Sequence, residues 1–495
     1  TIFAPRYRAN GSANYASESS AWWMAGTVAG NCVARLHERC AGSCRPREAI
    51  DHHGQETVMT AAKVGMTGRD TKSLTLLKQG TGTATHVRLH GVLMRIGLVI
   101  ERFDPHHGGA EFWAYQHATC LARHGHEVHI VSGAASNVEL PSPFCLHTFA
   151  WQECRLQRAA IVEERLKTLD LDIIHDIGLG WYCDLFQSED GSRISQWEHK
   201  LAALPAWARP FKRNLLRYLP RYNAFRTLME RQFGDPDRII LAVSKMCADD
   251  YMRYHGVDED RIRVVYHGVD TERFSPMGKA PLRATMRQRM GIAGDEVAFL
   301  FVGHDFARKG LATAIRAVSA ISRVGHRAKL IVLGDGNRRK LPVADQRHIV
   351  FCGRVADPVS HYVAADAFVL PTFYDPCSLS VSEAAACGLP IVTTRANGAS
   401  ELLTCGTDGF ILDDPRDDVA LARYLRQLCE PATRQRMGGA ARKLALRYPI
   451  ERNCREIMSI YDEIMRRQTL RFPSAVSQNH LAPADAVDAM MRRAA

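Results

Sequence analysis

A chain of 495 residues with 46% hydrophobic and 24% charged side chains is long enough for two or three globular domains, and its composition excludes a wholly disordered or low-complexity polymer. No run of about 18 or more apolar residues occurs, so no membrane span is predicted. The formal net charge of +11 points to anionic partners, without choosing among phosphates, acidic lipids and nucleic acid, and the 14 cysteines show no paired metal spacing, which fits small apolar fillers in a reducing cytosol.

Residues 1–93 differ from the rest. They are rich in Ala, Gly, Ser and Thr and show no sustained period. The apolar stretch at Trp22-Trp23-Met24, preceded by Arg6 and Arg8, is short and interrupted, which argues against a secretory signal. Cys32, Cys40 and Cys44 with His37 fit no zinc spacing. We expect a disordered extension, or a segment upstream of the native start.

From Met94 the pattern is strongly α/β. Met94 to Ile100 reads as a buried strand, a loop containing Pro105-His106-His107-Gly108-Gly109 follows, and then come a helix over 110–125 and a strand over 127–132. The Gly108-Gly109 pair at a helix N-terminus makes a turn and lets backbone approach a phosphate, although the GxGxxG fingerprint is absent. Leu171 to His175 is another strand. Ligands in such sheets bind beyond the carboxyl ends of strands, so His175 is placed at a cleft edge, either bonded to backbone or touching a sugar. Asp184 and Asp190 lie on the following loop.

The segment 205–231 holds seven Arg or Lys against one acidic residue, Glu230, with Trp207, Phe211, Leu215, Tyr218, Tyr222 and Phe225 recurring every three or four positions. It reads as an amphipathic helical stretch broken at Pro210 and Pro220. Either its rings pack inside and its arginines are solvated, or it meets anionic lipid or a phosphorylated acceptor. Strands over 239–244 and 263–266 lead to a boundary near Pro276.

The second domain opens with the strand Val297–Val302, the loop Gly303 to Gly310 and a helix over 311–324. Arg308 and Lys309, at a strand's carboxyl end, can neutralise a diphosphate. Strands at 330–333, 349–352 and 366–370 follow. The chain then reaches PTFYDPCSLSVSEAAACGLPIVTTRANGASE, residues 371–401. A helix is expected from about Ser378 to Cys387, stopped by Gly388 and Pro390. The amides of Ser378, Leu379 and Ser380 at its start suit a phosphate, and Asp375 and Glu383, eight positions apart, suit sugar hydroxyls. Asn397-Gly398-Ala399 and Glu401 lie just past the last strand of this stretch. A terminal helix over 447–467 and a mobile tail from 470 complete the chain.

The 371–401 segment resembles the E-x7-E signature of retaining GT-B glycosyltransferases of family 4, with Asp375 in place of the first acid. The resemblance spans about Met94 to Arg467. It implies two doubly wound Rossmann-like domains facing across a cleft, residues 94–275 on the acceptor side and 276–446 on the nucleotide-sugar side, with 447–469 returning to the first. It further implies Glu383 on the ribose, Asp375 on the transferred sugar, Gly108 and Gly109 amides against the diphosphate, and Arg354-Val355 stacking the base. Asp190 resembles an active-site aspartate of the lipopolysaccharide-core members, which the 302–310 and 178–191 regions look closest to. Asp190, His175, Arg308 and Lys309 are the expected catalytic set. The implied reaction moves glucose from a UDP-sugar to an inner-core or other glycolipid or oligosaccharide acceptor, with no metal or other cofactor. The implied place is cytoplasmic, on an anionic membrane surface at the inner face. A capsule, lipid-linked glycan or small-metabolite acceptor, or an inactive glycan- or lipid-binding relative, are the alternatives. No nucleic-acid signature is present.

Overall fold

The structure, a computed structural model, describes residues 93–135, 144–202, 204–342 and 348–471. Expectations for residues 1–92 and for the tail beyond 471 lie outside the described residues.

Seven parallel strands form the first lobe. In chain order its elements are β1 (Arg95–Phe103), α1 (Gly109–Arg123), β2 (Glu127–Ala135), β3 (Phe144–Thr148), α2 (Arg155–Lys167), β4 (Ile173–Asp176), β5 (Leu185–Gln187), α3 (Arg193–Ala202), α4 (Ala208–Arg217), α5 (Pro220–Gly234), β6 (Ile239–Ala242), α6 (Lys245–His255) and β7 (Ile262–Val264). The spatial order is β3-β2-β1-β4-β5-β6-β7, every pair parallel. Helices cover both faces of such a sheet, so its strands are continuous apolar runs. Ile96, Leu98, Val99 and Ile100 are accordingly all buried.

Three strands escape the sequence reading, one of them the four-residue Gly409–Leu412 at the edge of the second sheet. β5 is three residues inside what reads as a loop, too short to show a period, and β3 is a half-exposed edge strand. Pro210 does not break α4. It stands in the first turn, where its missing N–H has no helical acceptor to lose, and Pro220 opens α5 in the same way.

The second lobe contains α7 (Ala280–Arg289), β8 (Val297–Val302), α8 (Leu311–Arg323), β9 (Ala328–Leu333), β10 (Ile349–Gly353), α9 (Val359–Ala364), β11 (Ala367–Leu370), α10 (Leu379–Ala386), β12 (Ile391–Thr394), β13 (Gly409–Leu412), α11 (Asp418–Gln427) and α12 (Pro431–Ala445). Its order is β10-β9-β8-β11-β12-β13, again all parallel. In each sheet the winding reverses beside the first strand, at β1/β4 and at β8/β11. The crevice beyond the carboxyl ends of those strands is where such sheets bind ligands.

The last helix, α13 (Ile450–Arg471), returns to the first lobe. Its Asn453 accepts from the Trp113 indole at 3.0 Å, and its Tyr461 hydroxyl meets His117 at 3.0 Å and His175 at 2.8 Å. Between the lobes, the Arg442 guanidinium donates to the carbonyls of Thr271, Phe274 and Ala386 at 2.7–3.0 Å, tying the crossing strand to the second lobe.

Candidate active site

The carboxyl ends of β1, β8 and β11 open on one cleft of about 700 Å³, walled by both lobes. On the second-lobe side, the loop after β8 must turn sharply into α8. Gly310 makes the turn at φ 78°, where an added Cβ would stand 1.9 Å from the Pro371 carbonyl oxygen, so only glycine fits. Asp305 also adopts a positive φ of 56°. This geometry aims Arg308 and Lys309 into the cleft. Arg308 donates to the Tyr374 carbonyl at 3.0 Å, and Lys309 forms a buried ion pair with Asp375. Burial pulls the Lys309 ammonium below its usual pKa, with Asp375 opposing.

The other half of this wall comes from α10. Ser378 donates its N–H to Asn397 at 3.2 Å, and no side chain caps the helix. The amides of Leu379 and Ser380 fall in the first turn, where the helix offers them no acceptor, beside Arg308 and Lys309. One turn on, Glu383 accepts from the Tyr362 hydroxyl at 2.6 Å, and burial raises its carboxyl above the usual range against that hydrogen bond. Facing this wall is Gly108-Gly109 at the start of α1. The lobes approach so closely that a Cβ on Gly109 would sit 3.1 Å from Leu379 Cδ1.

Gly108, Gly109, Asp190, Arg308, Lys309, Arg354, Val355, Asp375, Ser378, Leu379, Ser380 and Glu383 all line this cleft. His175 does not, which corrects its expected place. It is fully buried on β4, donating to or accepting from Tyr461, with its ring edge-on to Trp113 and His117. Burial pushes its pKa down to about 3, so it is a neutral core histidine. The cause is α13, which covers the face toward which His175 points. Asp184 is likewise structural, accepting from Ile174 N at 2.8 Å and Gln468 at 3.0 Å. Glu401 faces the first lobe instead of the cleft wall that carries Arg308 and Lys309. It accepts from the amides of Lys245 and Met246 at the start of α6 and from Tyr266 at 2.7–2.8 Å. Asn397 shapes the loop, holding the amides of Ser378 and Ala399.

Two cleft residues, Glu189 and Glu111, and one buried residue behind the cleft, Tyr362, were not singled out in the sequence. Glu189, next to Asp190, is nearly buried and sits 3.3 Å from His267, whereas Asp190 is 60% exposed and paired with Arg193. Glu111 lies in the first turn of α1 with its carboxyl raised by burial. Tyr362 reaches Glu383 from α9.

Two facing lobes of parallel sheet, with the donor-suited wall on the second, define the GT-B class. Residues 107–273 match the family model described as Glycosyltransferase Family 4, and residues 296–431 match the one described as Glycosyl transferases group 1, together more than half of the chain. The chain belongs to the group 1, family 4 glycosyltransferases. It is 28% identical over 261 residues to a D-inositol 3-phosphate glycosyltransferase of Xylanimonas cellulosilytica, covering 50% of this chain and 62% of that relative's length. Among solved structures it resembles WaaG, a glycosyltransferase involved in lipopolysaccharide biosynthesis, with TM-score 0.63 and 20% identity over 74% of this chain and 99% of that one. It also resembles Anabaena HepE in complex with UDP-glucose, with TM-score 0.58 and 17% identity over 75% of this chain and 100% of that one. At these identities the two structures speak to fold alone.

Proposed function

We propose that the protein moves a hexose, glucose in the first instance, from a UDP-sugar to a glycolipid acceptor such as a lipopolysaccharide inner core, with retention of configuration and without a metal. The observation that carries this reading is the convergence of Arg308, Lys309, the first-turn amides of α10 and the Gly108-Gly109 turn on one cleft, with Glu383 one helical turn away. Cations and fixed amides facing a departing diphosphate can supply the charge stabilisation that a metal supplies elsewhere. The anomeric carbon then loses its bond to the diphosphate and gains one to the acceptor oxygen on the same face, and the acceptor's proton passes to the departing phosphate. Asp375 opposes the pull of burial on the Lys309 ammonium, and in this reading its carboxylate also faces the transferred sugar.

A specific observation favours a second reading. The curated relative in X. cellulosilytica is named for D-inositol 3-phosphate, so a small phosphorylated acceptor competes with a glycolipid. Purified protein screened against nucleotide sugars and both acceptor types, with UDP release as the readout, tests the reading. No UDP release with any donor would end it. Glu383→Gln should weaken UDP binding by about 1–2 kcal/mol, because a charge-assisted bond to a ribose hydroxyl becomes neutral. Unchanged affinity in calorimetry removes Glu383 from the ribose.

Docking on an anionic membrane is part of the same proposal. No helix among the described residues is long and apolar enough to cross a membrane. On α4 and its flanks, however, Trp207, Phe211 and Tyr218 are 75–81% exposed, so these rings are not the core residues that one sequence reading allowed. Arg209, Lys212, Arg213 and Arg221 accompany them. Rings among headgroups and basic groups near lipid phosphates, each worth on the order of 1 kcal/mol, would give salt-sensitive binding. Trp207→Ser with Phe211→Ser should abolish sedimentation with phosphatidylglycerol vesicles while leaving UDP affinity intact. Wild-type levels of vesicle binding by this variant would exclude α4 as the docking face.

A further inference from the structure

Two cysteines and a histidine meet where the terminal helix packs on the first lobe. Cys120 and His124 stand four positions apart at the end of α1, so both side chains share one face of it. Cys454, on α13, meets them there. One donor atom from each of the three lies within 4.8 Å of the other two, and His124 Nδ1 is 3.8 Å from Cys120 Sγ. Cys454 is fully buried and Cys120 nearly so, while His124 is exposed and opens the group to solvent.

Buried thiols are ordinarily inert, because burial holds their protons on. This pair is different. The hydrogen bond with Cys454 lowers the Cys120 thiol to about 7 against burial, with His124 adding to the shift and Glu451 opposing it. The same bond, together with burial, raises the thiol of Cys454. The surrounding charge favours a cation. Glu451, three positions before Cys454 on α13, acts on both sulfurs, with Arg455 opposing it at Cys454. The group also sits at the C-terminus of α1, the negative end of the helix dipole. Thiolates at that end are repelled unless a cation stands between them.

We propose that Cys120, His124 and Cys454 form a zinc site that clasps the end of α1 to α13, with water in the fourth position on the side of His124. Two thiolates and an imidazole are donors that Zn²⁺ takes in tetrahedral geometry. At bond lengths of about 2.0–2.3 Å, neighbouring donors stand roughly 3.4–3.8 Å apart, so the three atoms need to close by no more than about 1.4 Å. Each thiol releases its proton to solvent as its Zn–S bond forms, and no electron is transferred. The clasp joins the helices already tied by Trp113 to Asn453 and by His117 to Tyr461. It stands away from the chemistry: Cys120 is eleven positions beyond Gly109 of the cleft wall, about 17 Å along the helix. Glu127, His129 and Cys145 make another group of donors, at the β2–β3 edge. There the His129 ring is engaged at both nitrogens, by Glu127 at 3.1 Å and His147 at 2.9 Å.

The experiment titrates Zn²⁺ into the reduced, metal-stripped full chain in competition with a chromophoric chelator, and records the spectrum with Co²⁺ in its place. Zinc should bind and raise the melting temperature, and Co²⁺ should show thiolate charge-transfer absorption with tetrahedral visible bands. Cys454→Ala should weaken the binding at least about 100-fold, since losing a ligand exceeds the 10–100-fold that outer-shell changes cost. His124→Gln changes an exposed side chain. It should keep the metal-free melting temperature of the wild type, weaken zinc at least about tenfold and lose most of the zinc-dependent rise. Cys145→Ser should bind zinc as the wild type does. A wild type that takes up no zinc, or Cys454→Ala and His124→Gln variants that bind it unchanged, overturns the site. A Co²⁺ spectrum without thiolate absorption rejects the sulfur ligands and the proposal with them.

Discussion

Replacing Arg308 and Lys309 together by alanine is expected to lower turnover with UDP-glucose at least about 100-fold, because the leaving diphosphate loses two preorganised cations in a cleft partly closed to water. Lys309 is also half of a buried ion pair, and removing it alone strands the Asp375 carboxylate, which costs several kcal/mol of stability on the order of 3–5. Two controls separate chemistry from folding. Arg308→Ala removes only a hydrogen bond to the Tyr374 carbonyl and a surface pair with Asp305, so the fold should hold while turnover falls at least about tenfold. Lys309→Met with Asp375→Asn relieves the stranded charge, and should recover thermal stability without recovering rate. Chelator added to the wild type should leave its rate unchanged. A strict Mg²⁺ requirement, or normal turnover by the Arg308→Ala/Lys309→Ala variant, would falsify the metal-free mechanism.

Gly310→Ala should be the most damaging single-methyl change in the second lobe. The residue holds a left-handed φ of 78°, which costs a non-glycine residue about 1–2 kcal/mol. Its new Cβ would in addition meet a backbone oxygen at 1.9 Å, so the loop or the β11 end must move. Backbone displacement of this kind adds about 1–3 kcal/mol. The combined loss corresponds to a fall of roughly 5–15 °C in Tm. Activity should drop further than stability explains, since Gly310 follows Arg308 and Lys309 directly and sets their direction. Gly294→Ala is the matched control: an added Cβ there meets no atom within 4 Å and its φ is not positive, so its effect should stay within about 0.5 kcal/mol. If the Gly310 variant melts and turns over like the Gly294 variant, the turn does not constrain the cationic pair.

Much of this architecture is legible in the residues themselves. Parallel strands buried on both faces announce themselves as short apolar runs, so Val297–Val302 and Ile391–Thr394 can be read directly. The helix stop at Gly388 and the turn into α8 follow from local backbone chemistry, and so does the approximate extent of α10. These features depend on neighbours a few positions away, and a sequence lists such neighbours in order. Pairings across the chain are another matter. Lys309 and Asp375 lie 66 positions apart, Glu383 and Tyr362 are joined from different helices, and Ser244 reaches the Pro376 carbonyl over 132 positions. His175 shows the limit most plainly. Its strand and its place near a carboxyl end are readable, but whether it faces the cleft or the core was settled by Tyr461, 286 residues later, on a helix that returns to cover it. Local propensity determines which residues form an element. The direction in which a side chain finally points depends on which distant surface packs against that element, because burial energy belongs to the assembled layers and not to any one of them.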